Sequence, residues 1–162
     1  MRAKTAHFKI EDFGMLPPHE AQARFLRSDV LSLMFLGGRG SGKSYAGCMK
    51  ALLYCLRPEH AGLDYGVFSP TYRQLIRVQL PTILQFCEEF QKNAGFSLIK
   101  RHYRSDYVIE FINGSRMYLQ SLENRGVDRC RSLSLSGAMI DEIAFLKNPW
   151  YAYQTILAAV RG

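Results

Sequence analysis

Apolar residues fall along this chain in short runs, separated by glycine, proline and polar clusters. The run Val30-Leu31-Ser32-Leu33-Met34-Phe35-Leu36 predicts a first buried strand. Tyr45 to Leu56 is apolar nearly all round, which predicts a buried helix, ended by Arg57-Pro58. Tyr65-Gly66-Val67-Phe68 predicts a second buried strand, stopped by Ser69-Pro70. Tyr72 to Asn93 reads as a helix, broken or kinked near Pro81. Before these, residues 1–18 read as an irregular lead-in ending at Pro17-Pro18, and His19 to Leu26 as a short helix with Glu20 in its first turn.

The pattern then changes. Tyr107 to Ile112 and Ser115 to Gln120 flank Asn113-Gly114, the strongest short-range hairpin signal, and residues 96–103 can add a third strand. An arginine-rich loop, Asn124 to Arg131, leads to a predicted strand over Leu133 to Ile140, which ends in Asp141-Glu142. Asn148-Pro149 starts a last helix, Pro149 to Val160. The expected fold is α/β: a mainly parallel sheet with helices on both faces and an antiparallel hairpin insert.

One segment joins this pattern to chemistry. GGRGSGKS, Gly37-Gly38-Arg39-Gly40-Ser41-Gly42-Lys43-Ser44, stands between the first predicted strand and the first long helix. It fits G-x-x-x-x-G-K-[ST], the phosphate-binding loop, in the strand–loop–helix context such a loop requires. Glycines let the backbone wrap a triphosphate, and N–H groups and the helix N-terminus favour its charge. Lys43 would reach the β- and γ-phosphates and Ser44 would hold Mg²⁺.

Composition narrows the setting. Of 162 residues, 48% are hydrophobic, enough for one domain with a real core. Net charge is +7, from 21 Lys+Arg against 14 Asp+Glu, which favours polyanionic partners. No apolar stretch approaches membrane-spanning length, and Met1 to His7 has no long apolar core behind it, so a soluble protein without a secretory signal is expected. Cys48, Cys55, Cys87 and Cys130 lack C-x-x-C pairing, which predicts a reducing compartment with neither disulfides nor zinc, and Cys48 and Cys55, on the helix after the loop, are expected to be small buried hydrophobes. His7, His19, His60 and His102 show no ligand spacing.

Asp141-Glu142 supplies the second half of a phosphate-loop site. An Asp at a strand's end can hold Mg²⁺, and the adjacent Glu can polarise the attacking water. Arg39, inside the loop, can contact the γ-phosphate or face solvent. Arg125, Arg129 and Arg131 can act on a neighbour's nucleotide, contact DNA phosphates, or remain solvated. Gln22 has the geometry to pair with adenine, although a lone Gln is usually a surface residue. Tyr72, Arg73 and Arg77, with Arg101, His102, Tyr103 and Arg104, can line a nucleic-acid channel or form an ordinary solvated surface.

The ordered set resembles a known family. His19-Glu20-Ala21-Gln22, GGRGSGKS, Phe68-Ser69-Pro70-Thr71-Tyr72, the Asn113-Gly114 hairpin and Arg131 to Glu142 together resemble the ATPase domain of the large terminase subunit of tailed bacteriophages. The resemblance implies a phosphate-loop ATPase of additional-strand type over residues 19–162, hydrolysing ATP with Mg²⁺ to pump double-stranded DNA into a procapsid. It implies Gln22 at adenine, Lys43 and Ser44 on phosphate and Mg²⁺, Asp141 on Mg²⁺, Glu142 as base and Arg39 at the γ-phosphate. By spacing it puts Arg131 first as the trans-acting arginine, although Ser132 follows where the family has glycine; Arg125-Gly126 keeps the dipeptide at another distance and comes second. It further implies a homo-oligomeric ring, portal and small-subunit partners, and the cytoplasm of an infected bacterium. The family's nuclease domain finds no counterpart after Glu142, and the chain stops at Arg161-Gly162 where a coupling strand is expected, so a truncated domain with weak turnover is anticipated. A helicase-like DNA translocase and a nucleotide-binding module with little turnover are the alternatives.

Overall fold

Helices cover a single mixed sheet in the computed structural model, which describes residues 8–161. Residues 1–7 of the expected lead-in, with His7, and Gly162 lie outside the described residues. The elements are α1 (Glu20–Arg27), α2 (Lys43–Leu56), β1 (Asp64–Ser69), α3 (Tyr72–Gln74), α4 (Leu80–Ala94), β2 (Ile99–Tyr103), β3 (Val108–Phe111), β4 (Arg116–Ser121), α5 (Gly126–Arg129), β5 (Gly137–Ile140) and α6 (Pro149–Ala159). Strand order is β2-β3-β4-β1-β5. The β2–β3–β4 meander is antiparallel, and β1 pairs parallel with both β4 and β5. The hairpin is therefore part of the central sheet: β4 lies directly beside β1, with Val67 opposite Leu119.

The core forms where α2 and α4 cover the sheet. Met49, Leu52, Cys55, Leu75, Ile83, Phe86 and Phe90 pack against Val67, Ile109, Phe111 and Met117. At roughly 1.5–3 kcal/mol for each large apolar side chain, this burial is the main term holding the layers together. The described part of the lead-in joins it. Phe13 and Met15 are buried, and Phe8 and Phe13 both pack on Phe90 of α4.

Val30–Leu36 is not a strand, contrary to the apolar pattern. It runs irregularly, with Leu31 103% and Met34 73% exposed. Hydrophobicity favours burial, but a strand also needs a ladder partner. Just before β5 the chain meets the end of α6: Leu135 N–H donates to the Ala159 carbonyl (2.9 Å), and Arg161 N–H to the Leu135 carbonyl (2.8 Å). Among the described residues Val30–Leu36 pairs with no strand. It is tied instead by Phe35 stacked on Phe25 at 5.0 Å and by an Arg57–Asp29 ion pair (2.7 Å) just ahead of it. The predicted strand Leu133–Ile140 shortens to β5, whose bounds are those of its pairing with β1, and Leu135 makes only an isolated bridge to Val160.

The break near Pro81 is a π turn, Leu75–Gln79, joining α3 to α4. Leu80 N–H reaches back to the Leu75 carbonyl, and Pro81, lacking an N–H, opens α4.

Candidate active site

The phosphate loop begins where Val30–Leu36 ends and leads straight into α2. Gly40 (φ 79°) and Gly42 (φ 72°) are left-handed, and Gly42 is the N-cap of α2. Lys43 is therefore the first helical residue and Ser44 the second. The Lys43 ammonium donates to the carbonyls of Gly37 (2.7 Å) and Gly38 (2.8 Å), so it folds back over the mouth of its own loop. Arg39 is exposed on the outer turn.

Helix α1 closes the loop from one side. His19 caps α1, and its ring Nε2 lies 3.2 Å from the Ser41 carbonyl. The Gln22 amide donates to the Gly42 carbonyl (3.3 Å). Lys50 of α2 fastens the other end of α1 by donating to the carbonyls of Phe25 (3.0 Å), Leu26 (3.3 Å) and Ser28 (2.6 Å). These carbonyls are the ones a helix C-terminus leaves unpaired.

The acidic pair sits at the C-terminal end of β5. Asp141 N–H donates to the Phe68 carbonyl (2.9 Å), extending the ladder by one step, and Asp141 is only 7% exposed. Glu142 takes left-handed φ (47°), which turns the chain out of the sheet. Helix α2 approaches β5 closely because position 47 is glycine: a Cβ there would lie 2.5 Å from Met139 Cε. This approach brings the N-terminal half of α2 and the strand carrying Asp141 into one layer contact.

Two residues at this end carried no sequence signal for a site. Gln79, fully buried in the π turn, donates its amide to Asp141 Oδ2 (2.6 Å). Gln74 donates its amide to Glu142 Oε2. The Gln74 amide is itself oriented, because the Thr71 hydroxyl donates to Gln74 Oε1 (3.3 Å). Only the π turn could have revealed both, since it sets Gln74 and Gln79 on the face toward the acids, and sequence periodicity does not predict π turns.

The arginines separate by environment. Arg125 is exposed at left-handed φ (68°), immediately before Gly126, where a Cβ would run into the Ser121 carbonyl oxygen. Arg131 is engaged with α6: it donates to the Tyr151 hydroxyl (2.7 Å), which donates on to Asp128 (2.6 Å). Arg129 is exposed on α5. In the basic-aromatic clusters, the Tyr72 hydroxyl is hydrogen-bonded to that of Tyr107, and Arg101 lies over the Tyr103 ring at 4.7 Å. In the same region Lys100 is paired with Glu110 (2.6 Å).

Ser44 and Asp141 carry hard oxygen donors, the kind a cation of the magnesium type takes beside waters and phosphate oxygens. Among the described residues no group of three or more His, Cys, Asp or Glu could hold a metal ion. The cysteines are all free and buried. Desolvation, and secondarily the charge of Asp141, push the Cys48 thiol upward, so it is no nucleophile at neutral pH. No described helix is long and apolar enough to cross a membrane.

Similarity to known proteins agrees with this fold. The ATPase domain of the large terminase of Thermus phage P74-26 superposes with a TM-score of 0.71 at 20% identity, over 96% of this chain and 66% of that one. An arginine-to-alanine mutant of that domain superposes at 0.65 with 19% identity, over 93% and 64%. The chain thus spans slightly under two thirds of each. No curated protein matches. The family model described as terminase large subunit, T4likevirus-type, N-terminal, matches residues 34–158, and the chain belongs to that family.

Proposed function

We propose that this chain is the ATP-hydrolysing motor domain of a viral terminase, which drives double-stranded DNA into procapsids from the cytoplasm of an infected bacterium. The observation that carries the reading is the loop itself, with Lys43 at the first turn of α2 and its ammonium already at the loop mouth. Family membership over residues 34–158 supports it.

In this reading the loop N–H groups from Gly37 to Ser44 surround the triphosphate. Lys43 exchanges the Gly37 and Gly38 carbonyls for β- and γ-phosphate oxygens. Gln22, already beside the loop, turns to the adenine edge, and Arg39 meets the γ-phosphate from outside. Ser44 and Asp141 hold Mg²⁺, which when bound neutralises charge on the phosphate oxygens. Glu142 takes a proton from the attacking water. An arginine from a neighbouring copy in a ring completes the site; the exposed Arg125 suits that role, and Arg131 would have to leave Tyr151 to fill it. Portal and small terminase subunits are the partners this function requires.

Phosphate release from ATP with Mg²⁺, measured across a protein concentration series beside Glu142→Ala, tests the proposal. Turnover that rises faster than linearly and vanishes in the variant is expected. Nucleotide binding without turnover at any concentration would make this chain a binding module instead.

A further inference from the structure

We infer that Gln79 is a positioning residue for the Asp141 carboxylate, and that its second amide atom, Oε1, accepts from a water in the shell of a divalent cation held there. The inference rests on the reading of Asp141 as a cation ligand and goes beyond it by adding a residue from a different element.

The orientation of the amide is forced. Gln79 lies 2.6 Å from Asp141 Oδ2 through Nε2, and the reverse placement would set two acceptors against each other. Its Oε1 must therefore face away from that carboxylate oxygen. This Oε1 is buried and has no partner, in a residue with no exposed surface. A buried polar atom left unpaired costs about 1–3 kcal/mol, so it normally marks an absent water, ion or ligand.

The orphan is not isolated. Among the described residues four buried side-chain polar atoms lack partners. Ser41 Oγ is in the phosphate loop, and Ser69 Oγ stands one residue beyond the last β1–β5 pair, level with Asp141. With Gln79 Oε1, which belongs to the residue bonded to Asp141, three of the four lie on segments that carry the candidate site; His102 Nε2 is on β2. The π turn explains how Gln79 arrives there. Its five residues, Leu75–Gln79, advance the helix so that Gln74 and Gln79 reach neighbouring acids. Such turns recur at functional sites.

The test measures nucleotide binding with Mg²⁺ and with EDTA, and Mn²⁺ binding by electron paramagnetic resonance in the presence of ADP. Gln79→Met fills the same space without amide atoms. It should leave affinity in EDTA unchanged and weaken Mn²⁺ binding roughly tenfold or more, as loss of an outer-shell partner does. If Gln79→Met does not fold, Gln79→Asn, which keeps the amide but draws it back by one methylene, should show the same loss. Metal binding equal to wild type in a folded variant overturns the role of Gln79 alone. A wild-type protein whose nucleotide binding ignores Mg²⁺ overturns both this role and the cation reading beneath it.

Discussion

Gln74 donates its side-chain amide to the carboxylate of Glu142, and the Thr71 hydroxyl holds that amide in the donating orientation. The general base proposed for the reaction is thus aimed by a residue of α3, the helix that follows β1. Glu142 itself sits at a left-handed backbone position, where its direction depends strongly on such an anchor. Gln74→Leu should therefore keep nucleotide affinity and lose turnover, on the order of 100-fold, since a small misplacement of a catalytic group has that cost. Steady-state hydrolysis beside a nucleotide titration checks this. Equal losses of affinity and rate would mean that Gln74 serves binding.

Lys43 and Glu142 should fail in different ways. Lys43→Ala removes the ammonium at the loop mouth, so nucleotide affinity and turnover should both fall. Glu142→Ala should bind nucleotide as wild type and hydrolyse about 100- to 10,000-fold more slowly, the usual worth of a general base. Calorimetric titration with ATP separates the two; unchanged affinity in Lys43→Ala would refute the phosphate assignment.

The Arg125-Gly126 turn predicts another division. A Cβ at Gly126 has no room beside the Ser121 carbonyl, so Gly126→Ala should destabilise the fold by roughly 1–3 kcal/mol, the cost of overpacking. Arg125→Ala touches no packed group. It should leave the denaturation midpoint in place and lower the turnover of assembled protein on the order of 1,000-fold, as removal of a trans-acting arginine does. Arg131→Ala releases Tyr151 and Asp128 and should act on the docking of α6 more than on turnover. A larger rate loss in Arg131→Ala than in Arg125→Ala would restore the order that spacing alone suggests.

Most elements were legible because their signals are local. Asn148 caps α6, Asn113-Gly114 turns the hairpin, and the apolar surface of α2 is buried as its composition requires. The phosphate loop was legible for the same reason, since its chemistry lies in consecutive residues. Val30–Leu36 was misread because a strand depends on a partner elsewhere in the chain, and hydrophobicity says nothing about which edge is open. Gln74 and Gln79 were invisible for the opposite reason. Their helix was anticipated, but a π turn changes which side chains share a face, and nothing in single-residue preferences announces it.

The cysteines make the protein sensitive to alkali in a defined direction. Burial raises the thiol pKa values of Cys48, Cys55 and Cys87, the last to about 12, from an ordinary 9.0. Above pH 9 the unfolded chain loses thiol protons that the folded protein retains, so unfolding becomes progressively easier. The stability gained by keeping these thiols neutral is complete below pH 9 and is lost as the pH rises through about 12. Denaturant midpoints should fall between pH 9 and 11, and Cys87→Ala should flatten that fall while lowering stability at pH 7 through the cavity it leaves. A thiol reagent at pH 8 offers a second check. All four cysteines should resist it in the folded protein and react once denaturant is added. Rapid labelling of Cys48 or Cys55 in the native state would show that α2 opens locally, and with it the phosphate loop that α2 carries.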